Sequence, residues 1–116
     1  MRERRVTFTH QQIATYAEAS GDRNPIHLDD GFARSVGLPG VIAHGMLQMG
    51  LLGTVASEAA GGPEHVTRLA VRFAGMVVPG DTVIFKAEPA GDGRLELSAT
   101  NQKGEAVLTK AVGEYR

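Results

Sequence analysis

The stretch Gly45–Ala60 reads GMLQMGLLGTVASEAA, with Met46, Leu47, Met49, Leu51, Leu52, Val55, Ala56 and Ala59 on most sides of a helix. It is too long for an ordinary strand. It falls short of the roughly 18 apolar residues of a membrane span and is interrupted by Gly50, Gly53, Ser57 and Glu58. A helix apolar all round is expected to be buried. One stripe differs, because Gly50, Gly53, Thr54 and Ser57 fall at i, i+3, i+4 and i+7. Interior glycines cost about 1 kcal/mol each in helix propensity. The stripe serves either close packing against a sheet or room for a bound chain, and spacing alone leaves both open.

Working outward toward the C-terminus, Gly61-Gly62-Pro63 ends the helix and the remainder reads as strands. Thr67, Leu69, Val71 and Phe73 alternate with Arg68, Ala70, Arg72 and Ala74, the pattern of a half-buried strand. Further strands are predicted over 82–88, 94–100 and 106–115. Pro79-Gly80-Asp81, Gly91-Asp92-Gly93 and residues 101–104 supply the turns. Strands joined by such short turns pair antiparallel. With 116 residues, the chain is expected to form a single α+β domain over 1–116, a long helix packed across an antiparallel sheet.

Working outward toward the N-terminus, residues 41–43 read as extended and Leu38-Pro39-Gly40 as a turn. Asp29 or Asp30 can cap a short helix carrying Phe32, Ala33 and Val36, stopped by Gly37. Thr9 with Gln12 three residues on is a capping-box pattern for a helix over about 10–19, ended by Gly21. A short strand is predicted over 4–8. Between the first two helices lie Asp22, Asn24, Pro25 and His27. Proline lacks an N–H and keeps its predecessor out of the helical region. This segment is therefore a rigid loop that can aim a carboxylate and an imidazole at one point.

Composition narrows the function classes. Twelve basic and 13 acidic residues leave a net charge of −1, and no like-charge block points to nucleic acid or an anionic membrane. Arg2, Arg4 and Arg5 read as a solvated strand edge. The absence of cysteine removes disulfides, thiolate catalysis and Cys-based metal sites. The N-terminus has no apolar signal core, so a soluble cytoplasmic protein is expected.

A carboxylate beside an imidazole suits moving a proton onto or off a carbon or a water, since histidine titrates near neutrality. The helix opening at His44-Gly45 offers free N–H groups and a positive dipole end for a developing oxyanion. No serine or cysteine is placed as a nucleophile, so proton transfer is preferred to covalent catalysis. Ordinary structural roles compete at each position. Gly-Asp-x-Asn is common turn chemistry for Asp22 and Asn24, and His27 or His44 can be a hydrogen-bonded core histidine. A metal site from His27, Asp29 and His44 lacks the short ligand spacing such sites use, and no metal is expected. His10 and His65 look exposed and receive no role.

The string Ala17-x-x-Ser20-Gly21-Asp22-x-Asn24-Pro25-Ile26-His27-x-Asp29, followed by Ala33, Gly37 and Ile42-Ala43-His44-Gly45-Met46, resembles the signature of MaoC-like hydratases. The likeness extends over about 16–79, with particular similarity to the catalytic B subunit of the mycobacterial type II 3-hydroxyacyl-ACP dehydratase. The resemblance implies a hot-dog fold, with the long helix wrapped by the sheet. It also implies a lyase that interconverts (R)-3-hydroxyacyl and trans-2-enoyl thioesters in fatty-acid or polyketide metabolism. Asp22 and His27 would be the catalytic pair, Gly45 the oxyanion donor, and Asn24 and His44 would shape the site. Gly50, Gly53 and Ser57 become candidates for an acyl pocket. No cofactor is implied beyond the CoA or phosphopantetheine arm of the substrate.

The implied partners are acyl-CoA or acyl carrier protein, and a second hot-dog subunit in a homodimer or heterodimer. The short lead strand would leave an edge that favours such pairing. Some relatives carry a serine where this chain has Gly53, which leaves a serine contact to the acid unsupported. Two other readings stay open at this point, a hot-dog thioesterase and a non-catalytic subunit that completes another chain's acyl tunnel.

Overall fold

Five antiparallel strands build one sheet in the order β1-β3-β4-β5-β2, in a computed structural model that describes residues 1–116. Strand β1 is Arg2–Thr7, β2 Val66–Phe73, β3 Thr82–Gly91, β4 Arg94–Thr100 and β5 Ala106–Tyr115. The helices are α1 His10–Ser20, α2 Asp30–Ser35 and α3 Gly45–Ala60, with single 3-10 turns at Pro25–His27 and Pro63–His65. Helix α3 packs against β1, β2, β3 and β4, so the sheet wraps one side of it in the expected hot-dog arrangement. No helix is long and apolar enough to cross a membrane.

Local chemistry sets the helix ends. Thr9 Oγ1 accepts from the Gln12 N–H at 3.0 Å, and Gly21, at φ +80°, donates its N–H to the Ala17 carbonyl. Left-handed backbone of this kind is where glycine closes a helix at little cost. The strand alternation buries Val83, Phe85 and Ala87 of β3 in one cluster with Leu52 and Val55 of α3, with Phe8, Ile13, Val77 and Val107 among its other members. Burying each of the valine, leucine, isoleucine and phenylalanine side chains contributes about 1.5–3 kcal/mol.

Two expectations change. Strand β2 does not pair with β3, which follows it in sequence, but with β5, and so becomes the far edge of the sheet. The connection over 74–81 must therefore cross the domain. It bonds to the Val107 carbonyl through the Ala74 and Gly75 N–H groups, passes Ala43 through the Val77 carbonyl at 2.7 Å, and reaches Phe8 through Gly80. The second change concerns α3, which is not buried all round. Only Gln48, Leu52, Val55 and Ala56 are fully buried, while Met46 is 60% exposed and Gly50 faces open space. A single five-stranded sheet covers one side of the helix, and on the other side Met46, Gly50 and Glu58 stay exposed.

Candidate active site

The crossing segment brings residues 73–76 alongside the N-terminus of α3, and the loop after α1 closes the other side. Together they bound a cavity of about 610 Å³ whose lining includes Asp22, His27, His44, Gly45, Gln48 and Phe73. A larger concavity on the sheet, near Lys86, Glu88, Arg94 and Glu96, gathers no comparable acid and base.

The loop is tighter than the sequence reading had it, because Pro25–His27 forms one 3-10 turn. Asn24 Oδ1 caps this turn by accepting from the Ile26 N–H at 3.2 Å, while Asp22 Oδ1 accepts from the Asn24 N–H at 3.3 Å. The turn drives the His27 ring inward, where it is 8% exposed. Its Nδ1 lies 2.7 Å from the Ile42 carbonyl. A carbonyl only accepts, so Nδ1 carries the proton and neutral His27 presents a bare Nε2.

His44 is fixed by the same logic in the opposite sense. Its Nε2 lies 2.9 Å from the Asp22 carbonyl, so Nε2–H donates and Nδ1 is the bare nitrogen. The ring stacks on His27 with centroids 3.7 Å apart and meets Tyr16 edge-on at 4.8 Å. Each histidine therefore holds the segment that carries the other. Asp30 steadies the Ile42 side, because its Oδ1 accepts from the Val41 N–H at 2.7 Å. That hydrogen bond holds the Asp30 carboxyl below the usual aspartate value, with the nearby His10 and Arg34 charges adding to the effect.

One ligand atom from each of Asp22, His27 and His44 lies within 4.8 Å of the others. A water bonded at about 2.8 Å to each of two groups fits that span. A metal ion fits poorly. Imidazole lone pairs lie in the ring plane, and these two planes run 22° from parallel, so they do not converge on one centre about 2.0–2.1 Å from both nitrogens. Gly45, as the first residue of α3, has an N–H without an intrahelical acceptor. A Cβ at this position would lie 3.0 Å from ring atoms of Phe73, which shows how closely that ring covers the helix N-terminus.

Five of the sequence candidates are therefore found at or beside the cavity. Asp22, His27, His44 and Gly45 line it, and Asn24 caps the turn that positions His27 and is not part of the lining. Gly50, Gly53 and Ser57 do not line it either. A Cβ at Gly53 would meet Leu69 Cδ2 of β2 at 3.4 Å, which is close packing against the sheet, the first of the two explanations for the stripe. Apolar walls are supplied instead by Met46, Phe73 and Met76. Gly50 has nothing within 4 Å of a would-be Cβ. Gly50→Ala is accordingly expected to stabilise the fold by about 0.5–1 kcal/mol in urea titration.

Comparison with known proteins now adds to this geometry. A family model described as a MaoC like domain matches residues 1–111. The chain belongs to the MaoC-like domain family. The MaoC-like domain is 40% identical over 107 residues to 3-hydroxyacyl-thioester dehydratase X of Mycobacterium tuberculosis, covering 90% of this chain and 36% of that protein. It is 32% identical over 109 residues to a peroxisomal hydratase-dehydrogenase-epimerase of Neurospora crassa, covering 94% of this chain and 12% of that protein. The chain thus spans well under half the length of these curated relatives. Among solved structures, the R-hydratase PhaJ1 from Pseudomonas aeruginosa superposes with a TM-score of 0.80 at 28% identity, covering 98% of this chain and 76% of that one.

Proposed function

We propose that this MaoC-like domain is a lyase that interconverts trans-2-enoyl and (R)-3-hydroxyacyl thioesters, with the acyl group carried on CoA or on the phosphopantetheine of a carrier protein. The observation that carries the reading is the convergence of the Asp22 carboxylate, a bare His27 Nε2 and the free Gly45 N–H on one cavity. In the hydration direction, Asp22 and His27 hold a water against C3. As its oxygen bonds to C3, the C2–C3 π pair moves toward the thioester and one water proton passes to the Asp22–His27 pair. The Gly45 N–H, at the positive end of α3, stabilises the charge that develops on the thioester oxygen. Protonation at C2 completes the addition, so one water is consumed and the pair returns to its starting state. Dehydration follows the same steps in reverse.

The acyl arm is proposed to run past Met46, Phe73 and Met76 rather than along the glycine stripe. The outer edges of β1 and β2 end the sheet without a paired neighbour, and a second hot-dog subunit, identical or different, is the partner that suits them. Names such as 3-hydroxyacyl-thioester dehydratase among the relatives support the same chemistry.

The test is to add the purified chain to crotonyl-CoA and to a longer 2-enoyl thioester, following the enoyl absorbance and free thiol together. Loss of absorbance without thiol release is expected. Loss of absorbance with stoichiometric release of free thiol would replace this reading with a thioesterase.

A further inference from the structure

Two buried polar atoms at this cavity have no partner in the protein. His44, 2% exposed, and Gln48, 3% exposed, stand one helical turn apart on α3, and both line the cavity. No protein group bonds to His44 Nδ1 or to Gln48 Oε1. Buried polar atoms are costly to leave unpaired, so such a pair calls for a ligand. The chemistry of that ligand follows from the hydrogen-bond directions. With Nε2–H committed to the Asp22 carbonyl, Nδ1 of the neutral imidazole is an acceptor. Gln48 Oε1 is an acceptor as well. Both call for a donor, and water, which brings two donor protons on one small atom, has that chemistry.

We propose that His44 Nδ1 and Gln48 Oε1 form a second water subsite in the reaction cavity. Its use in turnover rests on the hydratase reading above. In dehydration the C3–O bond breaks with its electron pair on oxygen, which takes a proton and departs as water. The His44–Gln48 acceptors receive that water through both of its O–H bonds. In hydration the same subsite stages the water that next enters between Asp22 and His27. Gln48 is then a positioning residue, since it stages the water before or after reaction and touches neither the acyl thioester nor the water at C3.

A high-resolution crystal structure of the full chain tests the subsite directly. An ordered water is expected at about 3 Å from both His44 Nδ1 and the Gln48 carboxamide. In Gln48→Met, which keeps the length and removes the acceptor, that water is expected to be lost. Hydration kcat should fall roughly fivefold to tenfold, the worth of one hydrogen bond, with KM little changed. Gln48→Glu, which restores an acceptor, should recover both water and rate. The proposal is overturned by a dry site in the wild type, by retention of the water in Gln48→Met, or by wild-type kcat in that variant. A complex with an unreactive enoyl thioether whose own N–H takes the two acceptors would overturn it too. If the water is present and no hydration occurs, the functional reading fails and the subsite stands.

Discussion

Asp22→Asn and His27→Ala are each expected to slow hydration of a 2-enoyl thioester by roughly 10²–10⁴-fold, the usual worth of a positioned acid or base. Asp22→Asn is the cleaner of the two. An asparagine side-chain oxygen can still accept from the Asn24 N–H, so the loop keeps its shape while the negative charge disappears. Its melting temperature should therefore match the wild type. His27→Ala also removes the 2.7 Å bond to the Ile42 carbonyl and the stack on His44, so a lower melting temperature is expected alongside the lost rate. Rates of both variants close to wild type, measured by enoyl absorbance, would show that this pair does not carry the chemistry.

The second large effect is expected at the helix N-terminus. Gly45→Pro removes the N–H assigned to the oxyanion while sparing the helix, because proline is well tolerated at the first helical position. The preceding residue also suits it, since His44 sits at φ −62° and ψ 137°, the extended region favoured before proline. Loss of one oxyanion donor costs about 10²–10³-fold in kcat. Gly45→Ala is the control. It adds the same Cβ against Phe73, 3.0 Å from the ring, but keeps the N–H. A larger loss of kcat in the proline variant than in the alanine variant assigns the effect to the missing donor. Equal losses would assign it to crowding by the Cβ.

The loop and helix substitutions probe halves of a site that was only partly legible in the sequence. Asp22, His27, His44 and Gly45 could be picked out because they fall on the MaoC-like signature, whereas their chemistry alone left ordinary turn and core roles open. The bounds of α3 could be read because His44-Gly45 and Gly61 punctuate an apolar run. What holds the site together is less visible. The His27–Ile42 and His44–Asp22 bonds link residues 15 and 22 positions apart, and their acceptors are backbone carbonyls that leave no mark on residue identity. The crossing of residues 74–81 was hidden for a related reason. Turn residues announce that the chain reverses, but not which strand it will join, and here β2 joins β5. Gln48 was missed because a single polar residue in an apolar helix carries no chemical signal of its own. Its signal was its place one turn beyond His44. Gly53 in turn shows why a small-residue stripe is ambiguous, since the same absence of a side chain admits either a ligand or a neighbouring strand.

The crossed histidines also bear on how such a site can change over generations. Each ring donates to a peptide carbonyl, so Ile42 and Asp22 contribute to the brace whatever side chains they carry. The brace depends on two imidazoles and on the path of the backbone, with no matched side-chain partner that would have to mutate in step. Residue 42 is free to drift for packing, and Asp22 can be exchanged in the laboratory without losing its grip on His44. A loop and a helix start held this way tolerate extensive rewriting of their surroundings, provided that both histidines stay.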